Sequence, residues 1–123
     1  MTDRFLVTGS SGTVGTRLCE ILIGSKKQVI GLDKVPNKWM SKINKLTISK
    51  DLRYKFKPEH LPKKIDLVIH LAANARVYDL IVNPSLARDN VTMLFNILEF
   101  CRKKDIEKFI FSSSREVYGN TRS

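Results

Sequence analysis

The segment TGSSGTVG, residues 8–15, decides the fold of this chain. It follows an apolar run, RFLVT at residues 4–8, and it precedes a stretch in which Val14, Leu18 and Ile21 recur at helical spacing. A strand, a glycine-rich turn and a helix in this order are typical of the first unit of a parallel α/β sheet. We therefore expect the chain to begin with a βαβ unit.

The three glycines of this segment have separate expected roles. Gly9 makes the tight turn out of the strand, Gly12 lets the backbone approach a pyrophosphate, and Gly15 lets the helix pack closely on the sheet. Thr13 and Val14 begin the helix, and the backbone N–H groups at this helix start then face the bound anion. An ordinary glycine-rich turn is the alternative, and the position of the segment inside a βαβ unit favours the dinucleotide site.

A carboxylate follows at the end of the second apolar run. Asp33 lies 18 residues after Gly15, where a dinucleotide site uses an acid to accept hydrogen bonds from the adenosine ribose hydroxyls. A 2′-phosphate would meet like charge there, so the sequence favours NAD over NADP as the cofactor. Lys34 and Lys38 leave the NADP alternative open, because a nearby cation could hold the additional phosphate. An ordinary turn residue at a strand end is the other interpretation of Asp33.

The rest of the chain alternates between strand-like and helix-like patterns. Gly24 is placed to end the first helix, and a longer helix is predicted over residues 84–104 with Asn83 as its N-cap. Residues 34–45 and 50–65 contain prolines and are expected to form loops. This alternation predicts an α/β fold with a doubly wound parallel (Rossmann) sheet. The five predicted strands are RFLVT (4–8), QVIGLD (28–33), LTIS (46–49), DLVIHLA (66–72) and KFIFSS (108–113).

Length and composition predict one domain, residues 1–123, that binds NAD(P). The chain is 42% hydrophobic, which suffices for one core. It contains no run of about 20 apolar residues of the kind that crosses a membrane, so we expect a soluble, cytoplasmic protein. Cys19 and Cys101 lack the spacing of metal ligands and are expected to be reduced and buried, with no metal site. His70, in an apolar strand, is expected to be a packed and hydrogen-bonded histidine.

The net charge of +10 is concentrated in one part of the chain. Residues 26–64 contain twelve Lys or Arg and three acids, a net of 12 − 3 = +9. Such a segment could bind nucleic acid non-specifically, particularly with Trp39 and Tyr54 inside it. Because it contains no recognisable nucleic-acid motif, we interpret it as a solvated, lysine-rich surface.

Several later motifs resemble the extended short-chain dehydrogenase/reductase family, and in particular its nucleotide-sugar epimerases and dehydratases. The glycine spacing Gly-x-x-Gly-x-x-Gly is typical of that family. The other similar segments, in the same order as in the family, are DLR (51–53), HLAA (70–73), Asn90-Val91 and FSSSREVYG (111–119).

This resemblance implies further site residues and a substrate class. It implies that Asp51 and Leu52 contact the adenine, and that Leu71, Ala72 and Ala73 form the strand end over the NAD. It places Asn90 on a helix beside the site and makes Ser114 the serine of the catalytic site, with a nucleotide sugar as the substrate of the whole enzyme.

The family's catalytic pair, Tyr-x-x-x-Lys, is absent from these 123 residues. Pro58, Val82 and Arg122 stand four residues after the three tyrosines. We therefore expect an incomplete Rossmann domain that lacks the last strands and the substrate domain. It would be either the NAD-binding part of an epimerase or dehydratase, catalytically incompetent alone, or a stand-alone dinucleotide-binding module without turnover.

The helix predicted over residues 84–104 carries apolar residues round much of its circumference. The sheet can bury only some of them, and the strand at 108–113 would be an open edge. We therefore expect a homo-oligomer. The apolar positions are Leu86, Val91, Met93, Leu94, Phe95, Ile97, Leu98, Phe100 and Cys101.

Overall fold

The computed structural model describes residues 3–61 and 63–119, and it contains a five-stranded parallel sheet. The strand order is β3-β2-β1-β4-β5, and every neighbouring pair is parallel. β5 lies at one edge of the sheet, as was expected of the strand at 108–113. The strands are β1 (Arg4–Thr8), β2 (Gln28–Asp33), β3 (Thr47–Ser49), β4 (Leu67–His70) and β5 (Phe109–Phe111).

Within the described residues, four helices and one short 3-10 turn lie between the strands, and a second 3-10 turn follows β5. The helices are α1 (Thr13–Gly24), α2 (Ser41–Leu46), α3 (Val77–Val82) and α4 (Ser85–Lys103), and the 3-10 turns are Pro58–His60 and Arg115–Tyr118. α1 ends at Gly24 as predicted. α2 lies mostly in a segment that was expected to be a loop, and α3 was not predicted. Both have only six residues, too short for a helical pattern to stand out from its surroundings.

The predicted N-cap of the long helix was wrong. Asn83 ends α3, and Pro84 occupies the N-cap position of α4 without a side-chain cap from any described residue. The side-chain oxygen of Asn83 instead accepts a hydrogen bond from the Ser85 hydroxyl at 2.6 Å. Two helices follow each other closely here, so Asn83 terminates one of them instead of opening the other.

The core lies on both faces of the sheet, as a doubly wound fold requires. Alternation along β1 sends Leu6 to one face and Val7 to the other. On the first face Leu6 packs in a cluster with Phe100 and Cys101 of α4, and on the second Val7 packs with Cys19 of α1. Both cysteines are buried, unpaired thiols, and burial raises the pKa of each to about 11.

The described residues exclude two kinds of feature. None of their helices is both long enough and apolar enough to span a membrane. They also contain no cluster of three or more His, Cys, Asp or Glu side chains that could hold a metal ion.

Candidate functional site

The turn between β1 and α1 requires glycine at two of its three glycine positions. Gly9 has φ +75°, and a Cβ there would lie 2.9 Å from the backbone nitrogen of Ala72. A Cβ on Gly15 would lie 2.0 Å from the Gly9 carbonyl oxygen. Gly9 therefore makes the turn beside the end of β4, and Gly15 allows α1 to touch the turn that precedes it. We call residues 9–12 the phosphate loop.

The N-terminus of α1 is open to an anion. Gly12 occupies the N-cap position, and no side chain of the described residues caps it. The first backbone hydrogen bond of the helix runs from Thr16 N–H to the Gly12 carbonyl, 2.9 Å. The N–H groups of Thr13, Val14 and Gly15 precede that bond, and at the start of a helix such groups have no intrahelical acceptor. Together with the helix dipole they form an anion-binding site.

An open cleft lies along the carboxyl ends of the strands, beside the phosphate loop. This is where ligands bind in open α/β sheets. We call it the strand-end cleft. Its lining residues are Gly9, Gly12, Leu32, Asp33, Lys34, Lys50, Asp51, Leu52, Leu71, Ala72, Ala73, Asn74 and Met93.

Most of the residues predicted to contact the cofactor line this cleft, and four do not. The side chain of Thr13 borders a separate shallow pocket, and the side chain of Val14 is exposed. These two residues and Gly15 offer only backbone N–H groups to a ligand. Asn90 acts through Asn74, because its side chain accepts the Asn74 N–H at 2.7 Å and donates to the Asn74 carbonyl at 3.0 Å.

Sequence reasoning missed Lys50, Asn74 and Met93, which also line the cleft. Lys50 directly precedes Asp51, and Asn74 directly follows the HLAA segment, so their positions along the chain were a usable signal. Met93 was recognised only as an apolar helix residue, because the direction of a helix face depends on packing that the sequence does not specify.

Asp33 is held in place by two backbone N–H groups. Its Oδ2 accepts the Ser11 N–H at 3.0 Å, and its Oδ1 accepts the Val35 N–H at 3.1 Å. The first bond joins the end of β2 directly to the phosphate loop. The carboxylate can therefore accept hydrogen bonds from hydroxyl groups at a defined place beside the N-terminus of α1.

Asp51 is engaged by a neighbouring cation. Arg53 donates to both of its carboxylate oxygens, with the closest contact at 2.6 Å. This hydrogen bond from the Arg53 guanidinium lowers the pKa of the Asp51 carboxyl. Arg53 also reaches Asp89 of α4 at 4.0 Å. Asp51 therefore lines the cleft as an ionised carboxylate that it shares with Arg53.

His70 is buried and packed, as predicted. It is 2% exposed and stacks on the rings of Phe109 and Phe111. Its Nδ1 lies 2.7 Å from the Thr8 hydroxyl oxygen, which also accepts the N–H groups of Leu71 and Ala72. Burial lowers the pKa of His70 to about 4. A hydroxyl oxygen accepts two hydrogen bonds and donates one, so Thr8 donates to a neutral His70.

Ser114 follows β5 and is exposed. Its carbonyl accepts the Val117 N–H at 3.3 Å in the turn that begins the second 3-10 segment. Its catalytic role stays a prediction.

The comparisons with known proteins agree with this geometry. The model of the NAD-dependent epimerase/dehydratase family matches residues 5–123. A putative UDP-glucose 4-epimerase of Methanocaldococcus jannaschii is 38% identical over 119 residues, which cover 93% of this chain and 39% of the relative. The chain thus spans about two fifths of that relative's length.

Solved structures of two proteins superpose on the chain. An NAD-dependent NDP-hexosamine 5,6-dehydratase involved in tunicamycin biosynthesis matches with a TM-score of 0.87 and 27% identity, covering 99% of this chain and 40% of its own. The UDP-glucose 4-epimerase of Bifidobacterium longum, solved with NAD+ and UDP, matches with a TM-score of 0.84 and 26% identity. It covers 94% of this chain and 38% of its own.

Proposed function

The chain belongs to the NAD-dependent epimerase/dehydratase family, and on this premise we propose that it binds NAD in the strand-end cleft. We also propose that it supplies the cofactor-binding part of an enzyme that acts on a nucleotide sugar. One observation carries the proposal: the open N-terminus of α1 and the Asp33 carboxylate meet at one cleft, joined by the Ser11–Asp33 hydrogen bond.

The residues of the cleft fit the pyrophosphate and the adenosine part of NAD. The N–H groups that begin α1 would hold the pyrophosphate, and Asp33 would accept the ribose hydroxyls. Asp51 and Leu52 would lie at the adenine, with Asp51 reoriented away from Arg53. Leu71, Ala72 and Ala73 would cover the cofactor from the end of β4, with Asn90 holding the loop at Asn74. Lys34 and Lys50 line the same cleft and would partly offset the charge of the two carboxylates.

Bound NAD would supply a hydride acceptor beside the sugar. Ser114 would hydrogen-bond the reacting sugar oxygen, as the resemblance implies. Since none of the three tyrosines has a lysine four residues on, we infer that these 123 residues bind NAD without turning over a nucleotide sugar. A dinucleotide-binding module without turnover is the second candidate, and activity of a longer chain containing these residues separates the two.

We also propose that the chain self-associates through α4. Ile97, Phe100 and Cys101 are buried against the sheet, whereas Val91, Phe95 and Leu98 are exposed at spacings of four and three residues. These three lie on one helix face, which a second copy of the chain would cover.

Isothermal calorimetry with NAD and NADP tests the cofactor proposal. We expect the wild-type chain to bind NAD more tightly than NADP, and Asp33→Ala to weaken NAD binding by about 10- to 150-fold, the effect of losing hydrogen bonds to a charged group. Asp79→Ala removes an exposed acid from α3 and serves as the charge-matched control. Tighter binding of NADP, or equal affinities of the Asp33 and Asp79 variants for NAD, would contradict the proposal.

A further inference from the structure

A buried amide outside the cleft holds the phosphate loop. Asn37 follows β2 and is only 6% exposed. Its Nδ2 donates to the Ser10 carbonyl at 3.1 Å and to the Thr16 hydroxyl at 2.9 Å. Its Oδ1 accepts the N–H groups of Trp39 and Met40, each at 2.9 Å. All four hydrogen-bonding positions of the side chain are therefore used, and they divide into a loop side at Nδ2 and a helix side at Oδ1.

The loop side reaches one particular peptide unit. The Ser10 carbonyl, which accepts from Asn37, and the Ser11 N–H, which donates to Asp33, belong to the same peptide group. A peptide group is planar and rigid. Asn37 thus holds the carbonyl end of this peptide group, and the N–H end of the same group orients the Asp33 carboxylate.

The other contacts of the loop leave the Ser10–Ser11 peptide group little freedom to move. The Ser10 hydroxyl contacts the Thr47 hydroxyl at 3.0 Å, and a Cβ on Gly31 would lie 2.4 Å from the Ser10 hydroxyl oxygen. Ser11 Oγ donates to the Val35 carbonyl at 2.8 Å. Loss of the Asn37 donor would therefore change the orientation of the Ser10–Ser11 peptide group. A shift of the whole loop would not compensate for this change.

We propose that Asn37 is a positioning residue for NAD binding, which acts through the Ser10–Ser11 peptide to align the phosphate loop with the Asp33 carboxylate. This inference rests on the function proposed above. Asn37 does not line the cleft. Through the phosphate loop it governs how tightly both the ribose and the pyrophosphate of NAD are bound.

Asn37→Asp tests the loop side alone. A carboxylate keeps the oxygen that accepts from Trp39 and Met40, but it replaces the two donors with an oxygen that faces the Ser10 carbonyl. Asn37→Ser is the neutral counterpart, because its hydroxyl oxygen can accept those N–H groups and it lacks the amide donors. Asn44→Asp is the matched control, since it makes the same charge change at an exposed position and retains the oxygen that accepts the Asn37 N–H at 2.9 Å.

Calorimetry with NAD gives the first readout. We expect Asn37→Asp and Asn37→Ser to weaken NAD binding by about tenfold or more, the scale of one buried hydrogen bond lost from a binding site, and Asn44→Asp to leave it within about twofold. In the Asp33→Ala background the same Asn37 changes should have a markedly smaller effect, because coupled residues are non-additive. Full additivity, or unchanged NAD affinity in folded Asn37 variants, would overturn the proposal.

Hydrogen exchange at the Ser11 amide gives a second readout that needs no NAD. We expect exchange at the Ser11 amide to accelerate about tenfold in Asn37→Ser, while the amides of Trp39 and Met40 remain protected. Equal protection of the Ser11 amide in the variant and the wild type would overturn the positioning role. Failure of the wild-type chain to bind NAD would instead refute the cofactor proposal, so the two failures are distinguishable.

Discussion

Substitution of Gly15 by alanine places a methyl group where the structure has no room. The new Cβ would lie 2.0 Å from the Gly9 carbonyl oxygen and 3.0 Å from the Ser10 Cα. Ordinary carbon–oxygen contact needs about 1.3 Å more, so α1 has to move away from the phosphate loop. Overpacking of this kind costs about 1–3 kcal/mol, and it exceeds the gain of about 1 kcal/mol that alanine brings to a helix.

Gly24→Ala is the matched control in the same helix. Gly24 is exposed, and a Cβ there would meet nothing within 4 Å, so this variant should gain up to about 1 kcal/mol in stability. For a chain of this length 1 kcal/mol corresponds to about 4 °C in Tm. The overpacking cost of about 1–3 kcal/mol less the helix gain of about 1 kcal/mol leaves a net loss of up to about 2 kcal/mol. We expect thermal unfolding, followed by circular dichroism, to place Gly15→Ala up to about 8 °C below the wild type and Gly24→Ala at or slightly above it. NAD affinity should fall only in Gly15→Ala. Equal Tm and NAD affinity in the two variants would refute the packing role of Gly15.

Three further predictions concern His70, Phe95 and Ser114. Because the pKa of His70 is lowered from 6.5 to about 4, the folded state binds fewer protons, and stability should fall as the pH decreases from about 6.5 to 4, by about 3 kcal/mol in all. Urea unfolding at pH 7 and pH 5 should show about 2 kcal/mol of this loss in the wild type and none of it in His70→Leu. Phe95→Glu should shift the chain towards monomer in sedimentation velocity at micromolar concentration, and an unchanged distribution would argue against α4 as the interface. Ser114→Ala should leave NAD affinity unchanged in calorimetry, and cofactor-dependent conversion of a nucleotide sugar by the wild-type chain alone would show that a base has been overlooked.

The sheet and the strand-end cleft were predictable because their determinants are local. The glycine segment, Asp33 and the five apolar runs are each short patterns, and the order of parallel strands in a doubly wound fold brings their carboxyl ends together. Asp33 was assigned from its position after the glycine segment, and Leu71 and Ala72 from the family resemblance, and all three line the cleft.

The contacts that hold the site depend on packing, and no local pattern in the sequence predicts them. Asn37 lies between Pro36 and Lys38 in a segment expected to be a loop, yet it is buried and fully hydrogen-bonded. The hydrogen bonds between Asn90 and Asn74, which lines the cleft, likewise join two separate segments. Short helices such as α2 and α3 carry too few apolar positions to establish a period. The contacts of Asn37 and Asn90 therefore depend on tertiary partners, whereas α2 and α3 were missed because they are short.

NAD binding in the strand-end cleft is tested most directly by titrating the ¹⁵N-labelled chain with NAD and following the amide chemical shifts. We expect the largest changes on the phosphate loop at Gly9 and Gly12, on Thr13 at the start of α1, and on the backbone around Asp33. Perturbations confined to the separate pocket beside Trp39, or no saturable change at millimolar NAD, would contradict it.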